Sequence, residues 1–274
     1  MRIIFLLSLL LAWNASISAF AQAQKPLRIG VASYTVDSVK AAAEEAKKQG
    51  IEIKLVEFGD WTTPNLALDS GDLDLNYFQH QGFLDASIKA RGYKIKSVDI
   101  GYDGVMNLIS LKITKLDQLK PGAVFAIYND PANQARALGL LQHVGLIKLR
   151  SGAKHFATLS DVVENPLKIK FVEIEGTQIL RSLSDVDFAA TMPFSLVLTG
   201  KRELLDRVLA VTPSYDPYYA VRFVTRNDNS EDPQIRKFIK IYHESPAVRK
   251  SIHEMFAGDP KLYNLPWLTS KASN

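Results

Sequence analysis

From residue 27 onward the apolar positions switch repeatedly between two periods. Leu27–Ala32 is a nearly continuous apolar run, the pattern of a buried strand. Residues 37–48, DSVKAAAEEAKK, read as a helix rich in Ala, Glu and Lys that stops at Gly50. Residues 51–58 alternate with period two and end in Gly59-Asp60, so a strand is expected there. Thr63 before Pro64 predicts an N-cap and a short helix to about Ser70. Residues 73–76, 81–90 and 94–100 continue as strand, helix and strand. Strict alternation of strands and helices argues for a largely parallel sheet covered by helices.

The pattern restarts after 115–123, read as a helix with a Pro-Gly turn. A strand over 124–128 leads to Asn129-Asp130-Pro131, a cap for an amphipathic helix over 132–144 that Gly145 stops. Helices are expected over 160–165, 178–183 and 194–198, and strands over 170–174, 187–190 and 208–211. PYYAVRFVTR, 217–226, reads as one long strand, and the chain closes with helices over 233–242 and 247–256. The expectation is an α/β protein of two lobes around a cleft. Residues 26–114 plus 212–274 form the first lobe and 115–211 the second, inserted lobe. Ligands in open α/β sheets sit beyond the carboxyl ends of the strands, so facing sheets would bury a small molecule between them.

The first residues follow a different rule. Arg2 is a positive start, Ile3 to Trp13 is an apolar run too short to span a bilayer, and two A-x-A sites follow. Residues 1–23 are therefore expected to be a secretory signal peptide, cleaved after Ala21 or Ala23. The remainder, with no further long apolar run, is expected to be a soluble periplasmic protein. The chain has no cysteine, so an exported fold must be held by its cores alone and no lipid can be attached at a leading Cys. A net charge of +4 spread along 274 residues, without a basic run, disfavours nucleic acid.

Three stretches carry candidate chemistry. Asn76 to Phe83, NYFQHQGF, lies where a strand gives way to a helix: Phe78 and Phe83 could wall an apolar slot, and His80 and Gln79 could donate or accept hydrogen bonds. The competing reading makes the rings core and His80 structural. In NDPANQAR, Asn133 and Arg136 are three apart on one helix face, and an Arg fork suits a carboxylate. The alternative there is a capped surface helix with a solvated Arg. Trp61, after a strand, either walls a pocket or covers a sheet edge. Catalysis has little to stand on: there is no G-x-S-x-G, no Gly-rich phosphate loop, and the five histidines lack metal-ligand spacing. No catalytic residue, metal or cofactor is expected.

The stretches DWTTPNLALDSGDLDLNYFQHQGFLD and YNDPANQARALGLLQHVGLIKL, with D-x-x-E-N-P further on, resemble the methionine-binding lipoprotein family (MetQ/NlpA type) over essentially the whole chain after the leader. These are substrate-binding components of ABC importers. The resemblance implies a type II periplasmic-binding-protein fold, no enzymatic activity, a monomeric carrier with an ABC permease and ATPase as partners, and closure of the lobes on a small ligand. It places Phe78 and His80 in the first-lobe pocket and Asn133 and Arg136 in the second, with Arg136 on the ligand carboxylate. Phe83 and Trp61 stand where the family often has Tyr.

Two departures bear on the ligand. Where the family has an Asn in V-I-N-x-x-Y-A, this chain has Met192 in AATMPFSLVL; where it has Asn in Y-x-N-L-I-V-T-R, this chain has Ala220 in YYAVRFVTR. Those amides help fix the amino-acid head group, and losing one partner of a buried charged group costs about 1–3 kcal/mol. The expectation is therefore a small organic anion with an apolar or sulfur-containing body, held by Arg136. A D/L-methionine carrier is the alternative, and a sensory or scaffold protein on the same fold is the alternative of another class. Arg222, new to an otherwise apolar strand, is either a second cation of the site or points to solvent, and solvent is the expectation.

Overall fold

A computed structural model describes residues 25–213 and 215–269. The leader expected over 1–23 lies outside the described residues. In chain order the strands are β1 (Leu27–Ala32), β2 (Ile53–Phe58), β3 (Leu75–His80), β4 (Ile95–Ile100), β5 (Asp103–Gly104), β6 (Asn107–Ile109), β7 (Val124–Tyr128), β8 (Lys148–Leu149), β9 (Val162–Glu164), β10 (Lys170–Ile174), β11 (Phe188–Thr191), β12 (Val208–Val211), β13 (Val221–Arg226) and β14 (Tyr263–Asn264). The helices are α1 (Val36–Lys48), α2 (Thr63–Asp69), α3 (Gln81–Arg91), α4 (Pro131–His143), α5 (Pro193–Leu198), α6 (Pro233–Glu244), α7 (Pro246–Met255) and α8 (Pro266–Thr269).

The strands form two five-stranded sheets, ordered β2-β1-β3-β13-β4 and β10-β7-β11-β6-β12. In the first, β1 pairs parallel with β2 and β3 while β13 runs antiparallel to β3 and β4. The second repeats the scheme: β7 is parallel to β10 and β11, and β6 is antiparallel to β11 and β12. Each sheet has its own core, one built around Tyr77, Phe223, Phe238 and Tyr242, the other around Phe125, Leu138, Leu141 and Phe188. The chain crosses between the sheets twice, over 101–106 and over 212–220. Asn107–Ile109, which lies ahead of the 115 boundary read from the sequence, hydrogen-bonds in the second sheet.

Four expected elements take another form. Residues 115–123 hold only a single 3-10 turn, Leu116–Gln118, because the Gln118 side chain turns back to accept from the backbone N–H of Thr114 and Lys115. Residues 160–165 are a 3-10 turn followed by β9: Thr158 and Asp161 cap each other, closing the turn, and Val162 then pairs with Leu149. Residues 178–183 sit within a 3-10 segment, Gly176–Ser184. The long strand expected over 217–226 is broken at its start. Asp216 accepts from the N–H of Tyr218, which bends Pro217–Tyr219 into a 3-10 turn before β13 begins.

One close approach in the first lobe is sharp enough to test. A Cβ at Gly101 would fall 1.9 Å from the Tyr77 hydroxyl and 2.6 Å from its ring. Tyr77 cannot give way: it is fully buried, stacks on Phe223 at 4.2 Å and accepts from the Tyr242 hydroxyl at 2.9 Å. Gly101→Ala is expected to destabilise the protein by about 1–3 kcal/mol, the usual scale of overpacking, read as a lowered urea midpoint at unchanged m-value.

Candidate ligand-binding site

The end of β3 builds one side of the cleft, and its side chains divide by task. Asn76 and Gln79 turn to Asn65 of α2, forming a closed amide trio with bonds of 2.5, 2.8 and 2.9 Å. Tyr77 goes to the core. Phe78 and His80 remain for the cleft, where Gln79 also reaches the wall. Within one short strand the side chains thus divide between cleft, amide trio and core.

His80 is the N-cap of α3, its Nδ1 accepting from the N–H of Phe83 at 3.2 Å. That bond leaves the proton on Nε2, which donates to Oδ1 of Asn133 at 3.1 Å. Asn133 in turn donates to both carboxylate oxygens of Asp130, at 3.2 and 3.0 Å. Asp130 also caps α4 by accepting from the Asn133 N–H at 2.9 Å. A line of hydrogen bonds therefore runs from the first lobe to the second. Burial, with the Arg136 charge adding to it, pulls the imidazole pKa of His80 down to about 3, so the ring is neutral at ordinary pH. Burial pushes the Asp130 carboxyl up.

Arg136, one turn further along α4, is buried with its guanidinium set between the two crossings. It donates to the carbonyl of Gly104 on the first. On the second, its Cζ lies 4.6 Å from the ring centre of Tyr219. Nη1 meets the Met192 sulfur at 4.0 Å, and Nη2 lies 3.8 Å from Oδ1 of Asp103, too far for a hydrogen bond. Burial lowers the Arg136 pKa. It also pushes Asp103 up to about 6, even though the Arg136 charge pulls the other way. Oδ2 of Asp103 accepts from the N–H of Asp216 at 3.0 Å, tying the crossings together. The Nε of Arg136 and Oδ1 of Asp103 have no hydrogen-bond partner among the described residues.

These side chains line a narrow cavity of about 50 Å³. Trp61, Phe78, His80, Phe83, Asn133, Arg136 and Met192 all line it, and so the structure brings together seven of the eight residues singled out from the sequence. Ala220 is fully buried and does not line it; its neighbours Tyr219 and Val221 do. Arg222 donates to the Pro217 carbonyl at 2.5 Å and is also absent from the wall. Gln79, read from the sequence only as a hydrogen-bonding group beside His80, also lines the cavity; the sequence reading missed Tyr34, Tyr102, Gly104, Phe194, Tyr219 and Val221. Tyr34 and Phe194 stack on each other at 4.6 Å across the lobes. The wall is aromatic, and Arg136 alone is charged among the described residues that form it. Such a site can hold one anionic group at the guanidinium and an apolar body against the rings.

A family model described as NlpA lipoprotein matches residues 27–261. A D-methionine-binding lipoprotein MetQ from Yersinia pestis is 38% identical over 244 residues, covering 86% of this chain and 88% of the relative. Among solved structures, an ABC transporter periplasmic substrate-binding protein from Coxiella burnetii superposes with a TM-score of 0.79 at 37% identity, over 84% of this chain and 97% of that one. A nutrient binding protein from Burkholderia cenocepacia bound to methionine gives 0.76 at 38% identity, over 85% and 97%.

Proposed function

Since the chain belongs to the NlpA lipoprotein family and takes a substrate-binding rather than an enzymatic role, we propose that it is the periplasmic carrier of an ABC importer, closing on a small organic anion whose charge meets Arg136 and whose apolar or sulfur-containing body lies against Trp61, Phe78, Phe83 and Phe194. The permease and ATPase of that importer are its expected partners. Among the described residues, none forms a helix long and apolar enough to cross a membrane.

The observation that carries this reading is the balance of the wall. Besides Arg136 it offers an ammonium no carboxylate, and its amides are engaged: Gln79 with Asn65 and Asn76, Asn133 with His80 and Asp130. Met192 occupies the place of one amide expected from the family resemblance, and its sulfur faces the guanidinium. A deaminated acid therefore loses less here than an amino acid would. The second reading, a methionine carrier, is favoured by the relatives, which include a D-methionine-binding lipoprotein and a protein bound to methionine.

Thermal-shift screening of the purified chain after its leader, against methionine, its keto acid, other amino acids and sulfonates, separates the two. The keto acid or a related anion is expected to stabilise the protein more than methionine does. Micromolar or tighter methionine binding would overturn the proposal. Met192→Asn returns an amide to the wall and is expected to shift preference toward methionine over its keto acid by about 1–3 kcal/mol, measured by calorimetric titration of both ligands.

A further inference from the structure

Trp61 belongs to the first lobe, but its ring rests on the second. A Cβ built on Gly176 would fall 2.1 Å from Cζ3 and 2.3 Å from Cη2 of the indole, so the ring lies directly on backbone. These are atoms of the rigid far ring, which cannot yield as a flexible side-chain tip would. The indole is flanked by Tyr128 of the second lobe, with ring centres 6.4 Å apart and planes 24° from parallel. Phe83 meets it edge-on at 6.4 Å. Gly176 does not adopt a left-handed φ, so its backbone conformation does not demand glycine. The close approach of Trp61 does.

The position of the ring matters because there is space on both sides of it. Inward lies the narrow cavity around Arg136. Outward lies a vestibule of about 510 Å³, lined by Leu66, Ala86, Ala90 and Tyr93 and, among its polar groups, by Arg91 and Asp130. Trp61 and Phe83 line both spaces and stand between them. We propose that Trp61 seated on Gly176 is a gauge of ligand length: it closes the inner cavity behind a short ligand and bars a longer apolar chain from the vestibule. Gly176 acts through Trp61 and is a positioning residue. With the gauge removed, each methylene entering the vestibule would raise affinity about fourfold, the value of a buried CH₂.

The ligand class rests on the proposed function, so the experiment has one arm that needs no ligand. Gly176→Ala is expected to lower the thermal midpoint of the wild-type protein by a few degrees. It should have almost no effect in a Trp61→Phe background, where the single ring stops short of residue 176. Equal losses in both backgrounds would overturn the seat. The second arm measures affinity along a series of straight-chain keto acids of increasing length. Wild-type affinity should fall abruptly beyond a short member, whereas Gly176→Ala and Trp61→Phe should each remove that break and favour the longer acids. If no acid binds the wild type while the effect of Gly176→Ala still requires Trp61, the functional reading fails and the seat stands. If the acids bind and the break survives Gly176→Ala, the gauge fails and the functional reading stands.

Discussion

Arg136→Ala is expected to weaken binding of whichever acid the screen identifies by about 2–5 kcal/mol, the range for truncating one partner of a buried charged pair. This is roughly thirty-fold to several-thousand-fold in Kd. The guanidinium lies between Gly104, Met192, Asp103 and Tyr219, with solvent largely excluded, so a ligand carboxylate left without it would meet an aromatic wall. Arg136→Lys keeps the charge but loses the planar fork and should fall between the two. The substitution also removes the cation beside Asp103, so the thermal midpoint of the unliganded variant must be measured in parallel. Unchanged affinity in Arg136→Ala would show that the anion lies elsewhere.

The second large effect is a pH dependence. His80 is held neutral in the fold, with its pKa down at about 3 against an ordinary 6.5. Between those values the unfolded chain binds a proton that the folded chain does not, so stability falls as pH is lowered through that window, by up to about 1.4 kcal/mol per pH unit. Asp103 acts in the opposite sense. Its carboxyl is raised to about 6 from 3.8, so its contribution grows as pH falls through that narrower range, and the whole-protein curve is flattened. The difference between wild type and His80→Gln isolates the histidine. Relative to the variant, the wild type should lose about 2 kcal/mol between neutral pH and about pH 5, measured by urea denaturation at each pH. A flat difference would mean that His80 is not buried neutral.

Local chemistry made the scaffold readable. Capping at Asp130 and the left-handed glycines Gly92 and Gly145 set the ends of α3 and α4 where the sequence places them. Asn133 and Arg136 share a face because three residues is nearly one helical turn. Tyr219 was lost because PYYAVRFVTR has a strand's composition, and the bend depends on the side chain of Asp216. Tyr34 sits in the connection between β1 and α1, and its partners, Trp61, Phe78 and Phe194, all lie elsewhere along the chain. Gly176 carries no local signal: its small size matters only to a ring more than a hundred positions away. Ala220 was singled out from a family pattern, which marks the place of a residue but not which way its neighbours turn.

The cap at His80 has a consequence for closure. The same imidazole that reaches Asn133 is already fixed by the first turn of α3, and Asn133 is already fixed by Asp130. Each half of the bridge is therefore ordered by contacts within its own lobe. Immobilising a free polar side chain on association costs about 0.5–1.5 kcal/mol. Here both rotors are stilled within their own lobes, so under the proposed closure the bridge would form and break without remaking either helix end, and opening would leave two intact surfaces ready to meet again.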